Sequence, residues 1–247
     1  MRAPVRSLMA AVAAALVVGA FAAPHAQADI VSGNTRVGPV VMSGGASLEV
    51  GSSGSTYVSA TMNVSDPEGL RSAEGSIFHG PNVFTYDRSL RLGSCTFTGV
   101  THASCSVGAT LDALKNSQAG TWTMSAYASG NPSDHYFADT AATFRVLRSS
   151  KLVGSISTKV KGQSATVSGW LTRANWETHA DEPYAGQQVL LQFCTATCYP
   201  GSYHTTDSDG RFRTTVTTQG SGMWKATFAG TADTAAPLSS WYSGYIW

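Results

Sequence analysis

What most constrains this chain is a two-residue alternation of apolar and polar side chains, cut into short runs by turn residues. In YVSATMNV (57–64), Val58, Ala60, Met62 and Val64 fall on one face and Ser59, Thr61 and Asn63 on the other. TWTMSAYA (121–128) groups Trp122, Met124 and Ala126, and ATFRV (142–146) groups Phe144 and Val146 with Arg145 outward. The pattern returns in ATVSGWL (165–171), QVLLQF (188–193), RFRTTVT (211–217) and MWKATFA (223–229), where Trp224, Ala226 and Phe228 share a side. Successive residues of an extended strand point to opposite faces, so this alternation predicts half-buried antiparallel strands.

Turn signals separate these runs: Asp66-Pro67-Glu68-Gly69, Gly130-Asn131-Pro132 and Asp207-Ser208-Asp209-Gly210. Asp at turn entry bonds nearby backbone, Pro presets φ, and Gly supplies positive φ. The only helix-like stretch is ATLDALKNS (109–117), a turn or two long. Many short strands with few helix signals predict an all-β chain of two tandem immunoglobulin-like β-sandwiches. FRVLRSSKLVGS marks the expected boundary, giving one sandwich over 29–148 and a second over 149–247.

The N-terminus predicts export. Arg2 and Arg6 precede the apolar run SLMAAVAAALVVGAFAA, and Ala26-Gln27-Ala28 provides a small-x-small cleavage site. Residues 1–28 therefore read as a signal peptide, with the mature chain starting at Asp29 and no later apolar stretch long enough to span a bilayer. Its removal takes away two arginines and no acid, moving the formal charge from +1 to −1. With 13% charged residues there is no basic field for nucleic acid or an anionic membrane. In an exported chain the four cysteines favour disulfides. Cys95–Cys105 and Cys194–Cys198 each close a short loop within one sandwich, the preferred pairing of three. A metal reading fits less well, because C-x3-C lacks a second ligand pair at zinc spacing.

The order DPEG, a C…C pair, GTWTMSAYA, VSGWLTRANWETH, YAG, DSDGRF and GMWKATFAG resembles a family of small secreted proteins of Gram-positive bacteria. That family is built from two immunoglobulin-like modules, and its members are often labelled hypothetical or calcium-binding. The resemblance covers nearly the whole mature chain, with RANWETH and YAG as its most specific part, and implies no established reaction. The chain departs from the family's pattern at ADEP (180–183), which lengthens a loop, and at FCTATC, where a disulfide hairpin replaces basic residues.

Several constellations could carry chemistry. Calcium needs several oxygen ligands per ion, and Asp66 and Glu68, Asp134 and Asp139, and Asp207 and Asp209 are the candidates. None lies in an EF-hand loop, since no acid stands at the twelfth position; for DSDG an ordinary turn is the preferred reading. For DPEG with Asp134 the turn and calcium readings are evenly balanced. No G-x-S-x-G turn marks a nucleophilic serine, and a glycosidase's carboxylate pair has no particular support. A glycan-binding surface would need exposed aromatics; Trp176, Tyr199, Tyr203 and Trp241 lie in turns or strand ends, whereas Trp122 and Trp224 sit in the core pattern. The aromatic C-terminus SSWYSGYIW reads as a closing sandwich strand rather than a membrane barrel strand.

LTRANWETHADEPYAG (171–186) breaks the strand pattern with a polar-aromatic cluster. Glu177 and His179 would point the same way in an extended segment, but one His and one Glu make an incomplete metal site. The segment is expected to connect the two sheets of the second sandwich, with Arg173, Asn175, Trp176 and Tyr184 packed on one another. Trp176, Glu177, His179 and Tyr184 remain candidate binding residues. The sequence thus points to a secreted, non-catalytic protein acting through contacts with an extracellular protein or glycan. A calcium-binding protein and a carbohydrate-binding or carbohydrate-active accessory protein are the alternatives.

Overall fold

The structure, a computed structural model, describes residues 29–131, 133–157, 160–217 and 222–238, and the backbone of 241–242. The predicted signal peptide and the last five residues lie outside the described residues.

The first sandwich comprises β1 (Ile30–Ser32), β2 (Arg36–Ser43), β3 (Ser47–Val50), β4 (Thr56–Ser65), β5 (Leu70–His79), β6 (Arg88–Thr96), β7 (His102–Leu111), β8 (Gly120–Gly130) and β9 (His135–Arg148). β2, β4 and β7 form a three-stranded sheet. It faces a six-stranded sheet ordered β1-β9-β8-β5-β6, in which β3 adds to β9 in parallel. The second comprises β10 (Ser150–Ile156), β11 (Ser164–Asn175), β12 (Ala180–Pro183), β13 (Gln188–Cys194), β14 (Ser202–Thr205), β15 (Arg211–Thr217), β16 (Met223–Thr227) and β17 (Trp241–Tyr242). Here β10-β11-β15, with β12 on one end of β11, faces β14-β13-β16-β17. The three-stranded sheet β2-β4-β7 of the first unit thus has its counterpart in β10-β11-β15 of the second, to which β12 is added.

The alternation decides which faces meet. Val58, Ala60, Met62 and Val64 of β4 and Trp122, Met124 and Ala126 of β8 are all buried in the first core. Val167, Leu171, Val189, Leu191, Phe212, Trp224, Ala226 and Phe228 fill the second. The Trp122 indole N–H donates to the Gln118 carbonyl at 2.8 Å. That carbonyl belongs to a single 3-10 turn at Asn116–Gln118. The helix-like ATLDALKNS is helical only at Asn116 and Ser117, in that turn: Ala109, Thr110 and Leu111 finish β7, where pairing to β4 satisfies backbone that an isolated helical turn would leave open.

Both expected disulfides are present. Cys95–Cys105 joins β6 and β7, the facing edge strands of the two sheets. Cys194–Cys198 closes the hairpin after β13.

Candidate functional site

The segment LTRANWETHADEPYAG connects the two sheets of the second sandwich, as expected, and its Trp176 also bridges to the first. β11 continues to Asn175 and turns back through β12. At the turn Trp176 is only 1% exposed and belongs to the core of the first sandwich, beside Leu114 and Val50. Its indole N–H donates to the Val50 carbonyl at 3.3 Å, and its backbone N–H to Asn116 Oδ1 at 3.0 Å. Gly54, at φ +65°, passes so close that a Cβ there would lie 3.2 Å from the Trp176 Cβ. Tyr184, at the other end of the segment, is buried in the second core, edge-on to Phe228 and beneath the Arg173 guanidinium at 4.1 Å. Both candidate binding aromatics are thus buried, and each anchors one end of a clamp.

Polar partners hold the clamp in register. Asn116 Nδ2 donates to Asn175 Oδ1 and Glu177 Oε2, both at 2.7 Å. Asn175 Oδ1 also accepts the backbone N–H groups of Glu177 and Thr178, closing the turn. Glu182 accepts from Asn175 Nδ2 and the Thr178 hydroxyl. These two bonds hold its carboxyl below the ordinary range, since both favour the charged form. His179, at φ +55°, sets Nδ1 3.3 Å from the Ser52 carbonyl. Glu177 and His179 thus each meet a group of the first sandwich.

A second set of contacts centres on Arg148, buried where β9 passes into β10. Its Nε donates to the Ala174 carbonyl at 2.6 Å. Burial, with Arg173 nearby, lowers its pKa. Asp233 accepts from Thr231, Thr234 and Arg173. Burial alone would raise the Asp233 pKa, but the two hydroxyls and then the two guanidinium groups outweigh it and hold the carboxyl low.

Of the candidate calcium ligands, Asp66 and Asp207 accept hydrogen bonds within their own turns, and Asp134 and Asp139 accept them from distant loops. Asp66 is fully buried; Oδ2 accepts the Thr35 hydroxyl at 2.6 Å and Oδ1 the Glu68 N–H at 2.8 Å. Gly130 is required beside it, because a Cβ there would meet Asp66 Oδ2 at 1.8 Å. Asp134 Oδ2 accepts the Asn34 N–H, and Asp139 Oδ1 the Val83 N–H. Asp207 Oδ1 accepts the N–H groups of Asp209 and Arg211, with Gly210 at φ +71° closing the DSDG turn. Among the described residues, no three His, Cys, Asp or Glu side chains converge as a metal group.

One Ser–His pair has hydrogen-bonding geometry, Ser202 Oγ to His204 Nε2 at 2.8 Å, two residues apart on edge strand β14. Tyr203, between them, is 67% exposed, on the opposite face with Leu190 and Thr227. Tyr199 stacks on Phe193, with ring centroids 6.2 Å apart.

The best-formed exposed aromatic site lies elsewhere, on the outer face of β10-β11-β15. Trp170 is 48% exposed there, flanked across the sheet by Val153 on β10 and Arg211 on β15. The next row is Ser155, Ser168 and Arg213, with the two serine hydroxyls 3.2 Å apart. Trp170, Arg211, Ser155, Ser168 and Arg213, together with Gly169, Phe212 and Asp207, line a depression of about 320 Å³. Neither the Arg211 nor the Arg213 guanidinium has a hydrogen-bond or ion-pair partner among the described residues. Beneath them the strand is fixed: a Cβ on Gly169 would strike the Phe212 ring at 2.7 Å, and Phe212 belongs to the core.

Trp170 escaped the sequence reading, although the phase of its strand held the signal. Ala165, Val167, Gly169 and Leu171 are the buried set, so Trp170 falls with Thr166, Ser168 and Thr172 on the outer face.

No helix among the described residues is long and apolar enough to cross a membrane. No family model and no curated protein matches the chain. Solved structures similar to it include three N-terminal domains of the highly immunogenic outer capsid protein Hoc of bacteriophage RB49. That match has 9% identity and a TM-score of 0.34, over 85% of this chain and 69% of the capsid chain. A Corynebacterium diphtheriae protein described as membrane anchored matches with 14% identity and a TM-score of 0.26, over 86% of this chain. The chain spans 58% of that protein's length.

Proposed function

We propose that this protein is a secreted, non-catalytic binding protein whose outer sheet face on the second sandwich meets an extracellular polymer. The observation that carries this reading is Trp170, a large aromatic half exposed on a regular antiparallel sheet among hydroxyl and guanidinium groups. An exposed indole loses contact with water at little entropic cost when its backbone is already fixed, which is how rigid aromatic anchors contribute to recognition. Two disulfides support an oxidising, extracellular setting. The clamp through Trp176 supports a rigid carrier, in which the first sandwich holds the second at a fixed angle.

Adsorption of the mature protein to insoluble cell-wall polysaccharide tests the reading. Wild-type protein should be depleted from solution, and Trp170→Ala should remain in it with an unchanged melting temperature. Equal adsorption by the two proteins would overturn the assignment of the face. Release of reducing sugar during adsorption would overturn the non-catalytic part.

A further inference from the structure

Resting on that reading of the Trp170 face, we infer that its ligand is an acidic saccharide, a pyranose ring bearing a carboxylate or sulfate. The indole offers a flat, electron-rich surface to the C–H face of a sugar ring. Val153 borders it on one side and Arg211 on the other. Arg211 and Arg213 lie two residues apart on one strand, hence roughly 7 Å apart along it. Arg213 stands in the row of Ser155 and Ser168, whose hydroxyls both donate and accept as a polyhydroxylated ring requires.

Charge selects among such rings. The depression carries two guanidinium groups and one carboxylate, that of Asp207. Asp207 Oδ1 is turned onto the N–H groups of Asp209 and Arg211, within its own turn. One positive charge is therefore left over. A guanidinium binds a carboxylate or sulfate through two parallel N–H donors, and one without a protein partner gives up only water in doing so. A neutral sugar would cover the indole and leave the arginines unanswered. A phosphate backbone would need the extended basic field that a mature chain of formal charge −1 lacks. A single aromatic with two flanking cations fits one or two acidic sugar residues at a time.

The test is a titration of the mature protein with sodium polygalacturonate, heparin, neutral dextran and duplex DNA. Polygalacturonate should bind, and its affinity should fall as salt rises from about 0.01 M to about 1 M and the Debye length shrinks from roughly 30 to roughly 3 Å. Trp170→Ala and the pair Arg211→Gln/Arg213→Gln should each weaken binding roughly tenfold, with unchanged melting temperatures. Heparin binding with the same dependence on these residues also supports the inference, and comparison with polygalacturonate tells sulfate from carboxylate. Failure of both acidic polymers overturns it, as does binding that is independent of salt or of these three side chains. Equal affinity for DNA overturns it by reducing the face to a general polyanion site. If neutral dextran or insoluble cell wall binds through Trp170 while the acidic polymers do not, the proposed function stands and the acidic ligand falls. If nothing binds, both fall.

Discussion

Replacing Trp176 by alanine separates a loop packed on its own sandwich from a clamp between two. The side chain is almost completely buried, and its neighbours are residues of the first sandwich although it follows a strand of the second. Truncating a buried Trp to Ala costs about 3–5 kcal/mol through lost transfer energy and the cavity left behind. The Val50 carbonyl keeps the Ser149 N–H at 2.9 Å, so the loss is of packing rather than of an orphaned acceptor. About 4 kcal/mol is a large part of the 5–15 kcal/mol that stabilises a typical domain. In a protein of this size it lowers the melting temperature by about 10 °C if unfolding stays cooperative. Calorimetry reads the total, and hydrogen exchange reads its place. The Leu114 amide, bonded to the Gly54 carbonyl, and the Ser149 amide should exchange much faster in Trp176→Ala. Amides of β13 and β16, which pair inside the second sandwich, should change little. Acceleration confined to β13 and β16, with Leu114 and Ser149 unchanged, would refute the clamp.

Other perturbations have equally definite outcomes. Asp66→Ala strands the buried Thr35 hydroxyl and takes the acceptor from the Glu68 N–H, which lies in an exposed turn, and should cost about 1–3 kcal/mol by urea denaturation. Removing the Cys95–Cys105 bond by double serine substitution releases a loop of sequence separation 10 and should cost about 3 kcal/mol, against about 2 for Cys194–Cys198. Asp233 has a folded pKa below its ordinary value, so its contribution is fully present above about pH 4 and is lost as pH falls through the folded value. The gap in melting temperature between wild type and Asp233→Asn should therefore narrow below pH 4; a gap that widens there would reverse the sign assigned to this carboxylate. Gly130→Ala should destabilise strongly, because its Cβ would meet Asp66 Oδ2 within van der Waals distance.

The sequence showed the fold more readily than the site, and individual residues show why. Val58 to Val64 and Trp122 to Ala126 repeat with period two, and burial on one face leaves that imprint directly in the chain. The cysteine pairs were readable because short loops limit the geometry. In ATLDALKNS the spacing suits a helix, but β4 offers Ala109–Leu111 a ladder to complete, and the helical turn is confined to Asn116–Gln118 at its end. Trp176 was misplaced for a different reason. Its partners Val50 and Asn116 lie 126 and 60 residues away, and no local pattern encodes a contact of that range. Trp170 was visible through the phase of β11, but its significance depends on Arg211 and Arg213 arriving on the neighbouring strand. Those pairings are set by sheet register, which a single strand does not reveal.

Hydroxyl-radical footprinting with and without polygalacturonate tests the account's central claim, that Trp170 meets the ligand while Trp176 joins the sandwiches. In the free protein the peptide carrying Trp170 should oxidise readily and the Trp176 indole should remain unmodified. Saturation with the polymer should protect Trp170 and leave Trp176 as it was. Oxidation of Trp176 in the native protein, or full reactivity of Trp170 in the saturated complex, would contradict the account.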